Sequence, residues 1–206
     1  MEIDRELDSL RETIKGRMSE HRYLHTLGVE KVACEIGKYV LPDEIHLLRC
    51  AALLHDIAKE LPDNELISLI NSCFELNEED LSTVGALHSF AAVPLILRDF
   101  ADYAEGQILD AVFHHTLGDE NMSVFSQIIF VADLIEEGRA YEGCKEIRLW
   151  LLSKLASAKT KEDSFIILRS AVVKCINLTI ESLKRRGLSI NSRTLKTKAS
   201  FEGLID

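Results

Sequence analysis

Apolar residues recur along this chain at intervals of three and four, and almost nowhere in strict alternation. That is the period of an amphipathic helix rather than of a half-buried strand. Glu2 to Met18 reads as a charged amphipathic helix. Ser19 is placed to cap a second helix, from Glu20 to about Val40. Pro42-Asp43 starts a third, in which Ile45, Leu48 and Ala52 share a face that His55 and Asp56 continue. Pro62 opens a fourth, and Asn77 followed by Glu78-Glu79-Asp80 opens a short fifth. A sixth covers Leu87 to about Arg98, with Pro94 as an expected kink. Glu105 to Thr116 forms a seventh, stopped by Gly118. Ser123 caps an eighth through Glu137, stopped by Gly138. Two long helices follow, about Gly143 to Ala158 and Lys161 to Arg186, with Gly187 as the residue that ends the second.

There is no Asn-Gly hairpin signal, no internal repeat and no low-complexity linker. The expected fold is all-α, a compact helical bundle in one domain over residues 1–186. Residues 187–206 are expected to be a polar tail, peripheral or partly mobile.

Composition narrows the function. A chain of 206 residues, 47% hydrophobic, can bury a sizeable core in one domain. No apolar run approaches the length of a membrane span, and the charged N-terminal stretch lacks the apolar region of a secretory signal. The five cysteines (Cys34, Cys50, Cys73, Cys144, Cys175) are scattered and odd in number. That argues against a disulfide framework and for a reducing cytoplasm. The formal net charge of −10 speaks against nucleic acid. The one basic cluster, Lys184-Arg185-Arg186, suits a helix C-terminal dipole. An anionic substrate would need local cations or a metal.

Candidate chemistry lies where polar residues interrupt the apolar faces. The chain has seven histidines, at 21, 25, 46, 55, 88, 114 and 115. Asp133 sits in Gln127-Ile128-Ile129-Phe130-Val131-Ala132-Asp133-Leu134-Ile135, where a carboxylate needs a metal, several N–H donors, or an arginine such as Arg22 or Arg49. His55-Asp56 follows Ala51-Ala52-Leu53-Leu54. A lone His-Asp pair is common by chance. Its weight comes from Asp133 and His25 on other predicted helices. Imidazole and carboxylate without thiolate suit Fe, Mn, Co, Ni or Zn. His88 and the pair His114-His115 are further candidates, although a histidine at a helix C-terminus also suits the dipole.

The order His25 … His55-Asp56 … Asp133 resembles the HD-domain metal phosphohydrolase superfamily. The flanking words are narrower: Arg22-Tyr23-Leu24-His25-Thr26-Leu27-Gly28-Val29, Leu53-Leu54-His55-Asp56-Ile57-Ala58-Lys59-Glu60, His88, His115-Thr116-Leu117-Gly118, and Ile129 through Arg139. They resemble the YqeK-type branch, bacterial symmetrical diadenosine tetraphosphatases. The resemblance spans about Arg17 to Arg139 and continues weakly through the helices of 143–186.

It implies a two-metal site of His25, His55, Asp56, His88, His115 and Asp133, with Asp56 bridging two divalent ions, usually iron. The family commonly has HTTG where this chain has His115-Thr116-Leu117-Gly118, and EPGR where it has Glu136-Glu137-Gly138-Arg139. An aromatic is common where His114 stands, so spacing leaves His114 and His115 both open as the ligand.

Lys59 and Arg139 are expected to bind substrate phosphates and, with Asp56, to serve catalysis. His114 and Thr116 are expected near the substrate. The nucleophile expected is a hydroxide shared by the two ions. The products expected from a symmetrical substrate are two ADP. Competing readings are an HD hydrolase of another nucleotide (a nucleoside monophosphate, a deoxynucleotide or an alarmone) and a non-catalytic nucleotide-binding module. The partner expected is a small nucleotide, with neither nucleic acid nor membrane, and a homodimer through the long C-terminal helices is compatible with their amphipathic faces.

Overall fold

A computed structural model of the protein describes residues 2–205. Eleven α-helices and short 3-10 turns account for its regular structure, and no strand occurs among the described residues. In chain order the helices are α1 (Glu2–Lys15), α2 (Glu20–Val40), α3 (Ile45–Leu54), α4 (Asp63–Asn71), α5 (Glu78–Ser82), α6 (Leu87–Asp99), α7 (Gly106–His114), α8 (Val124–Ile135), α9 (Glu142–Ser157), α10 (Lys161–Arg185) and α11 (Ser192–Glu202).

Local signals set most of these limits. Ser19, Asn77 and Ser123 each accept a hydrogen bond from a backbone N–H in the first turn of their helices. These bonds satisfy donors that the helix itself leaves unpaired. Thr160 and Asp163 form a reciprocal capping box at α10. At its other end Gly187 takes φ +67°, Gly187 N donates to Lys184 O and Leu188 N to Leu183 O. That is the Schellman ending, and a left-handed residue there favours glycine.

The core is built around α2, α3, α6 and α8. Leu87 through Ile96 are all buried, so α6 has no solvent face over its first turns. Phe125 through Ala132 are buried in α8, which packs on α2, α7 and α10. Within α2, Gly37 lets α3 come close: a Cβ there would lie 2.6 Å from Leu48 Cδ1 and 2.8 Å from Ile45 Cδ1. Glu30, buried on α2, is satisfied by Arg49 (2.8 Å) and Arg11 (2.5 Å). No described helix is long and apolar enough to cross a membrane. All five cysteines are free thiols.

The structure differs from the expected elements in several places. α1 stops at Lys15 rather than Met18. α3 stops at Leu54, so His55 and Asp56 are not helical continuation. Instead Ile57 N donates to Leu54 O (3.1 Å), Lys59 N to Asp56 O (2.9 Å) and Leu61 N to Ala58 O (3.2 Å). These three-residue turns tighten the backbone beyond the helix end. α8 stops at Ile135, and Glu136 turns extended (ψ 159°) before Gly138 is reached.

Residues 188–205, expected as a peripheral or partly mobile polar tail, form a strap that packs on α10. α11 buries Thr194, Thr197 and Phe201. Thr194 Oγ1 donates to Leu117 O (3.1 Å) and Ser200 Oγ to Glu120 O (2.9 Å). Asn191 and Arg193 both reach the buried carboxylate of Asp80, at 3.0 and 2.8 Å. Gly118, at φ +76°, lies where a Cβ would meet Thr197 Cγ2 at 2.8 Å.

Candidate metal centre

Ligand-type side chains from five different helix contexts converge. α2 brings Arg22 and His25, three residues apart and on one face. The turn after α3 brings His55 and Asp56, the first turn of α6 brings His88, and the end of α7 brings His115 and Thr116. α8 brings Asp133, and the segment after it brings Glu136 and Arg139.

The carboxylate of Asp56 is the hub. It is 3% exposed and divides its oxygens between two groups. Oδ2 lies 3.4 Å from His55 Nε2, 3.6 Å from His25 Nε2 and 2.5 Å from Arg22 Nη1. Oδ1 lies 3.1 Å from His88 Nε2 and 3.6 Å from His115 Nε2. Asp133 Oδ1 completes the first group, 3.0 Å from His25 Nε2 and 3.9 Å from His55 Nε2. In the second group His88 Nε2 and His115 Nε2 are 3.1 Å apart.

The far sides of the rings fix what faces inward. His55 Nδ1 is 2.6 Å from Ala52 O and His115 Nδ1 is 2.7 Å from Val112 O. A carbonyl can only accept, so each Nδ1 carries a hydrogen, and Nε2 is the nitrogen that a neutral ring would offer to a metal. His25 Nδ1 is 3.2 Å from Glu136 Oε1, a carboxylate–histidine pairing of the kind that orients metal ligands. Glu136 is held in turn by the backbone N–H of Gly138 (2.5 Å). Gly28 makes room for it, since a Cβ at residue 28 would collide with the Glu136 carboxylate.

His25 and His88 differ in charge. Burial works against protonating His25, but Asp133 and Glu136 outweigh it and raise its pKa to about 9. Burial dominates at His88 and lowers its pKa to about 4, against the pull of Asp56. Burial also opposes ionisation of Asp56, yet His55, His115 and His88 hold its pKa well below the usual carboxylate range. Asp133 is held low in the same way, by His25, His55 and Arg139 against burial. Buried ionised carboxylates cost several kcal/mol unless cations meet them, roughly. Here Arg22 meets Asp56, and Arg139 Nη2 meets Asp133 Oδ1 at 2.8 Å.

The donors suit a metal. His55, Asp56 and His115 present atoms within 4.8 Å of one another, as do His25, His55 and Asp133. His55 Nε2 is buried without a hydrogen-bond partner and faces the Asp56 carboxylate at the centre of the cluster. Imidazole and carboxylate without sulfur fit a first-row divalent ion.

Cationic and polar groups rim the cluster. Lys59 Nζ lies 3.1 and 3.2 Å from the two ring nitrogens of His88, and burial lowers its pKa. Thr116 Oγ1 is 3.2 Å from His88 Nε2. A cleft of about 550 Å³ opens on the His25 side, lined by His21, Arg22, His25, Arg139 and Tyr141 among others.

His115 therefore joins the cluster and His114 does not. His114 Nε2 faces Asp110 Oδ1 at 3.4 Å, one helical turn back, and its ring packs against Phe113. Arg22 goes to Asp56 rather than to Asp133, and Arg49 goes to Glu30. Glu136 and Gly28 had no assigned role in the sequence. The spacing Asp133 to Glu136, three residues, was the available signal for the first.

A bundle of helices whose His-Asp pair gathers histidines and a second aspartate from neighbouring helices defines an HD-domain protein. The HD domain family profile matches residues 22–138, more than half of the chain, and the protein belongs to that family. Among its relatives, the symmetrical bis(5'-nucleosyl)-tetraphosphatase of Halalkalibacterium halodurans is 31% identical over 89% of this chain and 90% of its own length. The protein of the same name from Bacillus subtilis is 34% identical over 66% of this chain and 72% of its own. A crystal structure from Clostridium acetobutylicum, described as a predicted HD superfamily hydrolase involved in NAD metabolism, superposes with TM-score 0.81 at 28% identity. It covers 96% of this chain and 97% of that one.

Proposed function

We propose that this protein is a metal-dependent hydrolase that cleaves diadenosine tetraphosphate symmetrically into two ADP. The observation that carries the reading is the division of the Asp56 carboxylate, one oxygen toward His25 and His55 and the other toward His88 and His115. The names of the relatives at 31% and 34% identity supply the substrate.

His25, His55, Asp56 and Asp133 would hold one divalent ion, and Asp56, His88 and His115 the other, with iron the expected metal. Such ions supply Lewis acidity toward phosphoryl oxygens and a water acidic enough to attack phosphorus near neutral pH. The chain's own groups do the rest. Glu136 holds the His25 ring through Nδ1. Lys59 stands beside His88, placed to meet a phosphate oxygen with an ammonium. Arg139 lines the cleft, and its planar guanidinium can turn from Asp133 toward phosphate. Thr116, beside His88, borders the same space. His114, also expected near the substrate, faces Asp110. The net charge of −10 favours a small nucleotide over nucleic acid, and five free thiols favour a reducing cytoplasm.

The test is anaerobic hydrolysis of diadenosine tetraphosphate with added Fe²⁺ or Mn²⁺, products resolved by chromatography. ADP as sole product, abolished by a chelator, supports the proposal. ATP plus AMP would move the cut off-centre. No turnover by folded, metal-loaded protein would overturn it and direct the assay to other nucleotides, nicotinamide dinucleotides included.

A further inference from the structure

Of the histidines outside the cluster, His21 lines the cleft and His114 pairs with Asp110, which leaves His46. It stands on α3 four residues before Cys50, so their side chains share one face. His46 Nε2 lies 3.9 Å from Cys50 Sγ and 3.6 Å from Glu6 Oε2 on α1, and the three donors fall within 4.8 Å of one another.

We infer that Glu6, His46 and Cys50 form a second metal site, for a thiophilic divalent cation of the zinc class, tying α1 to α3. Tetrahedral zinc, with bonds of about 2.0–2.1 Å to N and O and about 2.3 Å to S, sets its donors roughly 3.3–3.6 Å apart. The observed spacings reach that with small rotamer movements. The site has a floor and an entrance: Cys50 is buried, whereas the Glu6 side chain is 44% exposed and leaves room for water as the fourth ligand. The nearby Glu30 is not a competing donor, because Arg11 and Arg49 already hold it. His46 Nδ1 is buried and has no hydrogen-bond partner. Ligating histidines ordinarily donate from that nitrogen, so this site binds more weakly than the HD cluster and exchanges its ion.

Sulfur separates the two sites experimentally, since the HD cluster offers none. Cobalt(II) added to the full-length protein should give a near-ultraviolet thiolate-to-cobalt charge-transfer band. Cys50→Ser should abolish that band, and His46→Ala should abolish or sharply reduce it. Glu6→Gln, a change at a half-exposed side chain that spares the core, should weaken cobalt affinity at the same band. A full chain saturated with cobalt that shows no band would overturn the proposal. So would a band that survives Cys50→Ser, or one whose cobalt dependence Glu6→Gln leaves unchanged.

Discussion

The two halves of the HD cluster share one carboxylate yet hold His25 and His88 in opposite states. On the His25 side, Asp133 and Glu136 surround the ring and raise its pKa to about 9. On the His88 side there is no further carboxylate, Lys59 stands close by, and burial lowers the pKa to about 4. Burial lowers the pKa of both rings, and the difference between them follows the carboxylates that oppose it, Asp133 and Glu136 at His25 and Asp56 alone at His88. It follows that the halves should load ions differently, the first rich in oxygen donors and the second in imidazole.

The comparison breaks most completely at the shared group. Asp56→Asn should remove both ions and all turnover, read by elemental metal analysis beside the hydrolysis assay; a variant retaining full activity would remove Asp56 from the centre. His25→Ala and His88→Ala should each remove one ion and leave the other bound. Loss of both ions from either variant would mean that the halves are not separable. Glu136→Gln should cost about 10–100-fold in metal affinity or activity, and only in the His25 half. Gly28→Ala, which forces the same carboxylate aside, should act in the same direction with smaller effect; metal titration of the two variants side by side checks both.

The subtlest contrast is in pH. A metal must displace the proton that His25 keeps up to about pH 9. Below that value affinity in the His25 half should fall by up to about tenfold per pH unit. His88 stays neutral down to about pH 4 and imposes no such loss. Titrating metal into His88→Ala and His25→Ala between pH 6 and pH 9, a range chosen from these two values, should show a slope in the first and a flatter profile in the second. Equal slopes would erase the distinction.

Much of this was legible in the sequence because charged groups inside apolar helix faces are conspicuous. His25, His55, Asp56, His88, His115 and Asp133 all meet where the motif order placed them. The choice between His114 and His115 was not legible, because adjacent residues at a helix end differ only in direction, and direction depends on where the helix stops. The same reason hid the turn at His55. Arg22 was weighed against the wrong aspartate, since a pairing across helices has no sequence period. The strap of 188–205 escaped for another reason. Phe201 is its one large buried apolar anchor, while Thr194 and Thr197 are buried by methyl contact and hydrogen bonds, which a reading of apolar periodicity passes over.

That strap has a consequence for biosynthesis. Chains are made from the N-terminus, and Ser192 follows Asp133 by 59 residues (192 − 133). Every proposed ligand has thus left the peptidyl-transferase centre well before the helix that clasps the Leu117–Glu120 segment and, through Asp80, the approach to His88. The His25 half, drawn from α2, the turn after α3 and α8, is not among the groups that this helix holds. Metal capture during translation would therefore be ordered in time, one half forming its grip while the other still waits for its clasp.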